Sequence, residues 1–129
     1  MTEVLDAWAI MAYLRNEPAA DRVARAMARD AVMSGINLGE VFCVLHRLAG
    51  PGEAATTIRD LRADVDVETP HSDRVLEAVA IKAQHAMSYA DAFAAATVLG
   101  HNATLLTGDP ELLVEDASWR FEDLRASGG

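Results

Sequence analysis

The sequence predicts an α/β chain in which short strands alternate with helices, so that right-handed crossovers build a parallel sheet sandwiched by helices. Brief apolar runs at Val4-Leu5, Ala31-Val32-Met33 and Ala103 to Leu106 stand beside helical patterns or turn residues. The stretch from Ser88 to Leu99 is alanine or larger apolar on nearly every face and carries one charge, Asp91, which marks it as a core helix. With 129 residues and no repeat, linker or low-complexity block, one domain is expected over 1–126, with a frayed tail at 127–129. A chain of that length buries about two thirds of the surface it exposes when unfolded.

In order, Glu3-Val4-Leu5-Asp6 reads as a strand running straight into a helix over Ala7 to Leu14, where Ile10, Tyr13 and Leu14 fall at helical spacing. Asn16-Glu17-Pro18 breaks the chain. Ala19 to Asp30 is then a second helix, with Val23, Ala26 and Met27 inward and Arg22, Arg25 and Arg29 on a solvated face. Ala31 to Ser34 is the next strand, and Gly35-Ile36-Asn37 turns into a helix with an inward stripe of Leu38, Val41, Phe42, Leu45 and Leu48. Gly50-Pro51-Gly52 ends it, and Glu53 to Ala63 forms another helix through Ala54, Ile58 and Leu61. Val65 to Glu68 alternates as a partly exposed strand closed by Thr69-Pro70. His71 to Met87 holds a helix with Leu76, Val79, Ala80 and Ala83 inward, and the apolar helix follows. Ala103 to Leu106 is a buried strand, and Trp119-Arg120-Phe121 a last short one.

Composition narrows the class. The single Cys43 excludes an internal disulfide and, among Val41, Phe42, Val44 and Leu45, reads as a small core hydrophobe in a reducing compartment. No apolar run of membrane length and no signal-type start is found, so a cytoplasmic protein with no membrane partner is expected. A net charge of −9 argues against nucleic-acid binding driven by charge over the whole surface. A nucleic-acid substrate then needs metal ions and a local basic track, for which Arg22, Arg25 and Arg29, or Arg15 and Arg47, are the candidates.

Asp91 poses the chemical question. No Lys or Arg lies between Lys82 and Arg120, so the partner of this acid comes from elsewhere in the fold or from solution as a cation. Ser88-x-x-Asp91 also has the form of a capping box, Asn37-x-x-Glu40 repeats that form, Asp6 suits an N-cap, and Asp109-Pro110 suits an N-cap followed by proline. Taken one by one, the acids read as helix starts. Together, Asp6, Glu40, Asp91 and Asp109 fall at strand-to-helix switches or in the first turn of a helix, and so converge on the carboxyl edge of one sheet, where ligands bind. Two carboxylates about 5 Å apart repel by roughly 3 kcal/mol at an effective dielectric near 20. A hard cation such as Mg²⁺ or Mn²⁺, which takes oxygen ligands, relieves this repulsion. Zinc is disfavoured, because His46, His71, His85 and His101 lack ligand spacing and no Cys pairs with them. Such a site suggests phosphoryl chemistry in which the cation neutralises the phosphodiester and acidifies a water. Thr107 either assists that water or a carboxylate with its hydroxyl, or serves only the turn.

Leu5-Asp6-Ala7-Trp8-Ala9, Ile36 to Val41, Ser88 to Ala95 and Leu106-Thr107-Gly108-Asp109-Pro110 resemble, in order and spacing, the motifs of PIN-domain ribonucleases. The resemblance covers essentially the whole chain and is nearest to the small VapC-type toxins of toxin–antitoxin pairs. It implies a three-layer α/β/α sandwich with a central five-stranded parallel sheet, Mg²⁺- or Mn²⁺-dependent cleavage of RNA, a homodimer, and neutralisation by a cognate VapB-type antitoxin. Matched residue by residue, Asp6, Glu40, Asp91 and Asp109 become the metal-binding and catalytic acids, and Thr107 an assisting hydroxyl. The chain departs from the pattern just after the first acid, where many PIN domains carry a small hydroxyl residue and this one has Ala7 and Trp8.

The alternative from another class is a catalytically silent PIN-like module that binds RNA or protein; loss of an acid would favour it, and all are present. A phosphoacceptor receiver or phosphatase-type domain needs paired acids at the first strand and a late lysine. Here Asp6 stands alone, and Lys82, the only lysine, lies inside a helix.

Overall fold

A computed structural model describes residues 1–126; the frayed tail expected at 127–129 lies outside the described residues. The elements are β1 (Glu3–Leu5), α1 (Ala7–Leu14), α2 (Ala20–Met27), β2 (Ala31–Ser34), α3 (Gly35–Ala49), α4 (Pro51–Asp64), β3 (Asp66–Glu68), α5 (Ser72–Gln84), α6 (Tyr89–His101), β4 (Thr104–Thr107) and β5 (Arg120–Asp123), closed by a short 3-10 turn at Leu124–Ala126. The five strands pair in the order β3-β2-β1-β4-β5, and every pair is parallel. The chain therefore winds outward from β1 through β2 to β3, returns, and adds β4 and β5 on the other side. The strand order reverses between β1 and β4, and that switch point is where a crevice opens at the carboxyl ends of the strands.

The alternation of side chains along a strand splits the core into two layers. Val4, Val32 and Leu105 face α6 and α5, meeting Ala92, Ala95, Ala96 and Val98. Leu5, Met33 and Leu106 face the other way, onto Ile10 of α1, Val23 of α2 and Val41 of α3. The apolar helix is buried from Asp91 through Val98, as its composition predicts. Among the described residues no helix is long and apolar enough to cross a membrane.

Several local expectations are corrected. The helix after β2 begins at Gly35, its N-cap is Ser34 accepting from the Ile36 N–H at 3.2 Å, and Asn37 lies in its first turn rather than capping it. Along α3, Val41 is buried while Phe42, Cys43 and Leu48 are exposed, so Cys43 is a surface thiol and not a core hydrophobe. Two positions on from Val41, a side chain has turned about 200° round the helix. Pro51 opens α4 directly behind Gly50, whose φ of 86° is available to glycine at little cost.

The largest correction is the rotation of α5. The inward residues are Arg74, Ala78 and Ile81; Leu76, Val79, Ala80 and Ala83, expected inside, line the exposed face, with Leu76 67% exposed. The cause is Arg74. Its guanidinium donates to both carboxylate oxygens of Glu68 at 2.8 and 2.9 Å and to Glu77 at 2.7 Å, and His101 joins Glu68 at 2.8 Å. Room for this buried fork exists because α6 carries Gly100, where an added Cβ would lie 1.9 Å from Arg74 Nη1. A side chain this polar turns inward only when its donors are met by carboxylates, and here they are.

Arg22 also departs from the solvated stripe. It pairs with Glu3 of β1 and, through Nε at 2.9 Å, with Glu122 of β5, clipping α2 across the sheet edge. Arg25 and Arg29 remain exposed.

Candidate acidic site at the strand switch point

Asp6 follows β1 directly and is only 2% exposed. It is the N-cap of α1, its Oδ1 accepting from the Ala9 N–H at 2.9 Å, and its Oδ2 accepts the hydroxyl proton of Thr107. The Thr107 oxygen in turn accepts from the Asp109 N–H at 3.0 Å, so the end of β4 is tied to the end of β1 through one side chain. Asp109 does not start a helix as the Asp-Pro pair suggested. It opens a turn over 110–112, its Oδ1 accepting from the Glu111 N–H at 2.9 Å and its carbonyl from the Leu112 N–H at 3.0 Å.

Across the crevice, Ser88 caps α6 by accepting from the Asp91 N–H at 3.1 Å, which sets Asp91, 6% exposed as a residue, in the first turn. Among the described residues no Lys, Arg or His lies within ion-pair distance of it. Instead, oxygens of Asp91, Asp109 and Glu111 all fall within 4.8 Å of one another. Asp91 thus follows the Ser88 cap in the first turn of α6 and at the same time lies near two other acids, Asp109 and Glu111.

Asp6 and Glu40 stand just outside that tight trio. Glu40 is exposed on α3, held by the Asn37 amide, which donates to Glu40 Oε1 at 3.0 Å and to the Ala90 carbonyl at 3.1 Å. Asn37 is itself buried, with no hydrogen-bond partner for Oδ1, and links α3 to the start of the helix that bears Asp91. Neither Asn37 in this bridging role nor Glu111 was singled out by the sequence. The Asn37-x-x-Glu40 spacing was visible but read as a cap, and Glu111 lies in a turn that no periodicity marks.

Electrostatics follows from the geometry. Burial, helped by the charges of Asp109 and Glu40 and opposed by the Thr107 and Ala9 hydrogen bonds, raises Asp6 from 3.8 to about 7. Burial also raises Asp91, together with hydrogen bonding to Glu111 and Asp109 and the charge of Asp109, from 3.8 to about 8. Carboxylates that hold protons near neutrality are poised to exchange them for a cation. The donors are oxygens alone, which suits a hard dication such as Mg²⁺ or Mn²⁺. None of the four histidines belongs to the cluster. His71 caps α5, His85 stacks edge-on against Trp119, His101 binds Glu68, and His46 lies edge-on to Phe42.

The wall of the crevice is aromatic. Gly108, between Thr107 and Asp109, is covered by the indole of Trp8, and a Cβ added there would stand 2.3 Å from Trp8 Cζ2. Trp8, with Ala7, Met11, Arg15, Glu17, Val44 and Asp109, borders a groove of about 380 Å³.

Compared with known proteins, the chain matches the family model of the PIN domain over residues 4–115. No curated protein sequence matches it closely. Its fold is similar to that of VapBC-1 from nontypeable Haemophilus influenzae, at 22% identity and a TM-score of 0.74, covering 97% of this chain and 99% of that one. It is similar also to DNA-bound VapBC from Salmonella typhimurium, at 16% identity and a TM-score of 0.76 over 96% and 98% of the two chains. A third similar structure is the Mycobacterium tuberculosis toxin VapC20, described as cleaving the sarcin-ricin loop, at 20% identity and a TM-score of 0.66 over 84% and 90%.

Proposed function

The chain belongs to the PIN domain family, and on that premise we propose that it is a Mg²⁺- or Mn²⁺-dependent endoribonuclease acting as the toxin of a VapBC-type toxin–antitoxin pair. The observation that carries this reading is Asp91, a buried acid that among the described residues meets no cationic side chain, with a carboxylate oxygen within 4.8 Å of oxygens of Asp109 and Glu111. A buried carboxylate cluster of this kind is stable in its charged form only with a cation from solution.

In the proposal, Asp91, Asp109 and Glu111 hold the ion, with Asp6 and Glu40 flanking it. When bound, a divalent cation supplies charge neutralisation of the phosphodiester and a water acidified toward neutral pH. Asp6, which titrates at about 7, takes the proton of the attacking water as a general base. Thr107 and the Ala9 N–H each hold one oxygen of that carboxylate and so fix its orientation at the end of β1.

The proposed partners are RNA as substrate, a VapB-type antitoxin and a second copy of the chain, all within the cytoplasm and all served by one domain over 1–126. The VapBC complexes support the antitoxin by likeness of fold, and the toxin described as cleaving the sarcin-ricin loop supports RNA in the same way. The exposed apolar face of α5 offers a surface for the second copy.

The test is incubation of the purified protein with RNA in Mg²⁺, in Mn²⁺ and in chelator, beside the Asp91→Asn variant. Cleavage confined to the wild type with metal is the expected result. RNA binding without cleavage in any metal would instead leave a silent binding module.

A further inference from the structure

The groove beside the acids holds a feature that the acids do not explain. Its wall is Trp8, its floor is apolar at Met11 and Val44, and it shares Asp109 with the metal-binding trio, so it continues the crevice rather than standing apart from it. The indole is not a loosely placed surface ring. It is seated on Gly108, between the two residues that carry Thr107 and Asp109 chemistry, where any larger residue would collide with it. One edge of the ring is thereby held by backbone while the groove remains open beside it. Arg15 and Glu17 both line the same groove, and among the described residues Arg15 makes no ion pair with Glu17 or any other acid, so its guanidinium is free for an outside anion. On a chain of net charge −9, whose Arg22 and Arg74 are consumed by internal carboxylates, an unpaired guanidinium next to an acidic centre is a specific feature. A volume of about 380 Å³ lies within the range of roughly 300–1,000 Å³ that accepts a small ligand.

We propose that this groove is a nucleotide subsite of the RNA-cutting centre: the base adjoining the cut stacks on Trp8 over Met11 and Val44, and its phosphate is met by Arg15, so that Trp8 holds any flanking base and favours a purine, whose larger face stacks more strongly. The inference rests on the nuclease reading above and deepens it. Aromatic rings hold single-stranded bases by stacking, and a guanidinium holds phosphate by paired, charge-assisted hydrogen bonds. A base and its phosphate therefore match the two chemistries of the groove, whereas a purely apolar segment of a protein partner leaves Arg15 without an anion. The departure from small hydroxyl residues after Asp6 thus carries a use of its own: Trp8 is the stacking platform.

The experiment is a fluorescence titration of the intact protein with the tetraribonucleotide ACGU in Mg²⁺, under conditions where little is cut, followed by RNA cleavage on the same samples. Trp119 is only 3% exposed, and so the quench expected on binding belongs to Trp8. It disappears in Trp8→Phe only to the extent that the indole signal is lost, while Trp8→Phe retains the pattern of cut sites. Trp8→Ala erodes the preference for a purine beside the cut by about threefold, and Arg15→Gln weakens binding by about tenfold. A tetramer of the same backbone without bases fails to quench. Equal quenching by the baseless tetramer, or an unchanged cut pattern in a folded Trp8→Ala, overturns the proposal. Cleavage by the wild type with no quenching discards the subsite and leaves the nuclease standing. Quenching with no cleavage removes the nuclease reading and leaves a nucleotide-binding groove. Quenching by a purified antitoxin but not by RNA assigns the groove to a protein partner and overturns it also.

Discussion

The hydroxyl of Thr107 donates to the carboxylate of Asp6 across 101 positions of sequence, and the same oxygen accepts from the N–H of Asp109. One side chain therefore joins the carboxyl ends of β1 and β4 and stabilises the ionised form of the acid between them.

Thr107→Val removes that donor, and because the hydrogen bond lowers the Asp6 value, its loss raises it above about 7. Cleavage at neutral pH is expected to fall by about tenfold, the effect of one pKa unit, and to recover as pH rises. Thr107→Ser keeps the profile in place. A pH–rate profile of the valine variant that overlays the wild type removes Thr107 from this role.

Metal-free stability is expected to decline with alkalinity. Asp6 and Asp91 rise on folding from 3.8 to about 7 and about 8, so their contribution is fully present below the unfolded value and is lost as pH climbs through the folded ones. Thermal melts in chelator should fall between about pH 4 and about pH 8, and added Mn²⁺ should raise Tm more at the upper end. Asp6→Asn raises the chelator Tm near pH 8 and abolishes cleavage. A Tm in chelator that is flat across this window contradicts the assignment.

Glu68 titrates in the opposite sense. Its hydrogen bonds to Arg74 lower it from 4.5 to about 2, so its contribution is present above 4.5 and lost only as pH falls toward the folded value. Arg74→Ala is expected to destabilise by about 3 kcal/mol, because it leaves Glu68 without its main partner. Gly100→Ala displaces the same guanidinium, and the two changes are expected to combine to less than their sum. Urea denaturation of the singles and the double reads this directly; full additivity would separate Gly100 from the Arg74 network.

Leu76→Glu lies on the exposed face of α5 and is expected to change monomer stability by no more than about 0.5 kcal/mol. If the proposed second copy docks on this face, light scattering should nonetheless show a dimeric wild type and a monomeric variant. An unchanged mass places the second copy, if there is one, on another surface.

Much of the architecture was legible because strand alternation and helical spacing are local. Val4 and Leu5 face opposite layers, and Ala92 to Val98 are buried, as their composition requires. The rotation of α5 was not legible. Leu76 and Val79 look inward on hydrophobicity alone, and only the partners of Arg74, brought by β3 and α6, outweigh them. Cys43 was misplaced for a related reason, since an apolar run from Val41 to Leu45 surrounds the helix and does not say which side is covered.

By itself the sequence determined the α/β alternation, the isolation of Asp91 from every lysine and arginine near it in the chain, and the acids placed at element starts. Tertiary structure alone decided that Glu111 joins Asp91 and Asp109, that Thr107 serves Asp6, and that Trp8 covers Gly108. Propensity and periodicity are written over a few neighbouring residues. A carboxylate's partners are set by crossovers that bring together positions dozens of residues apart, and no local pattern encodes those distances.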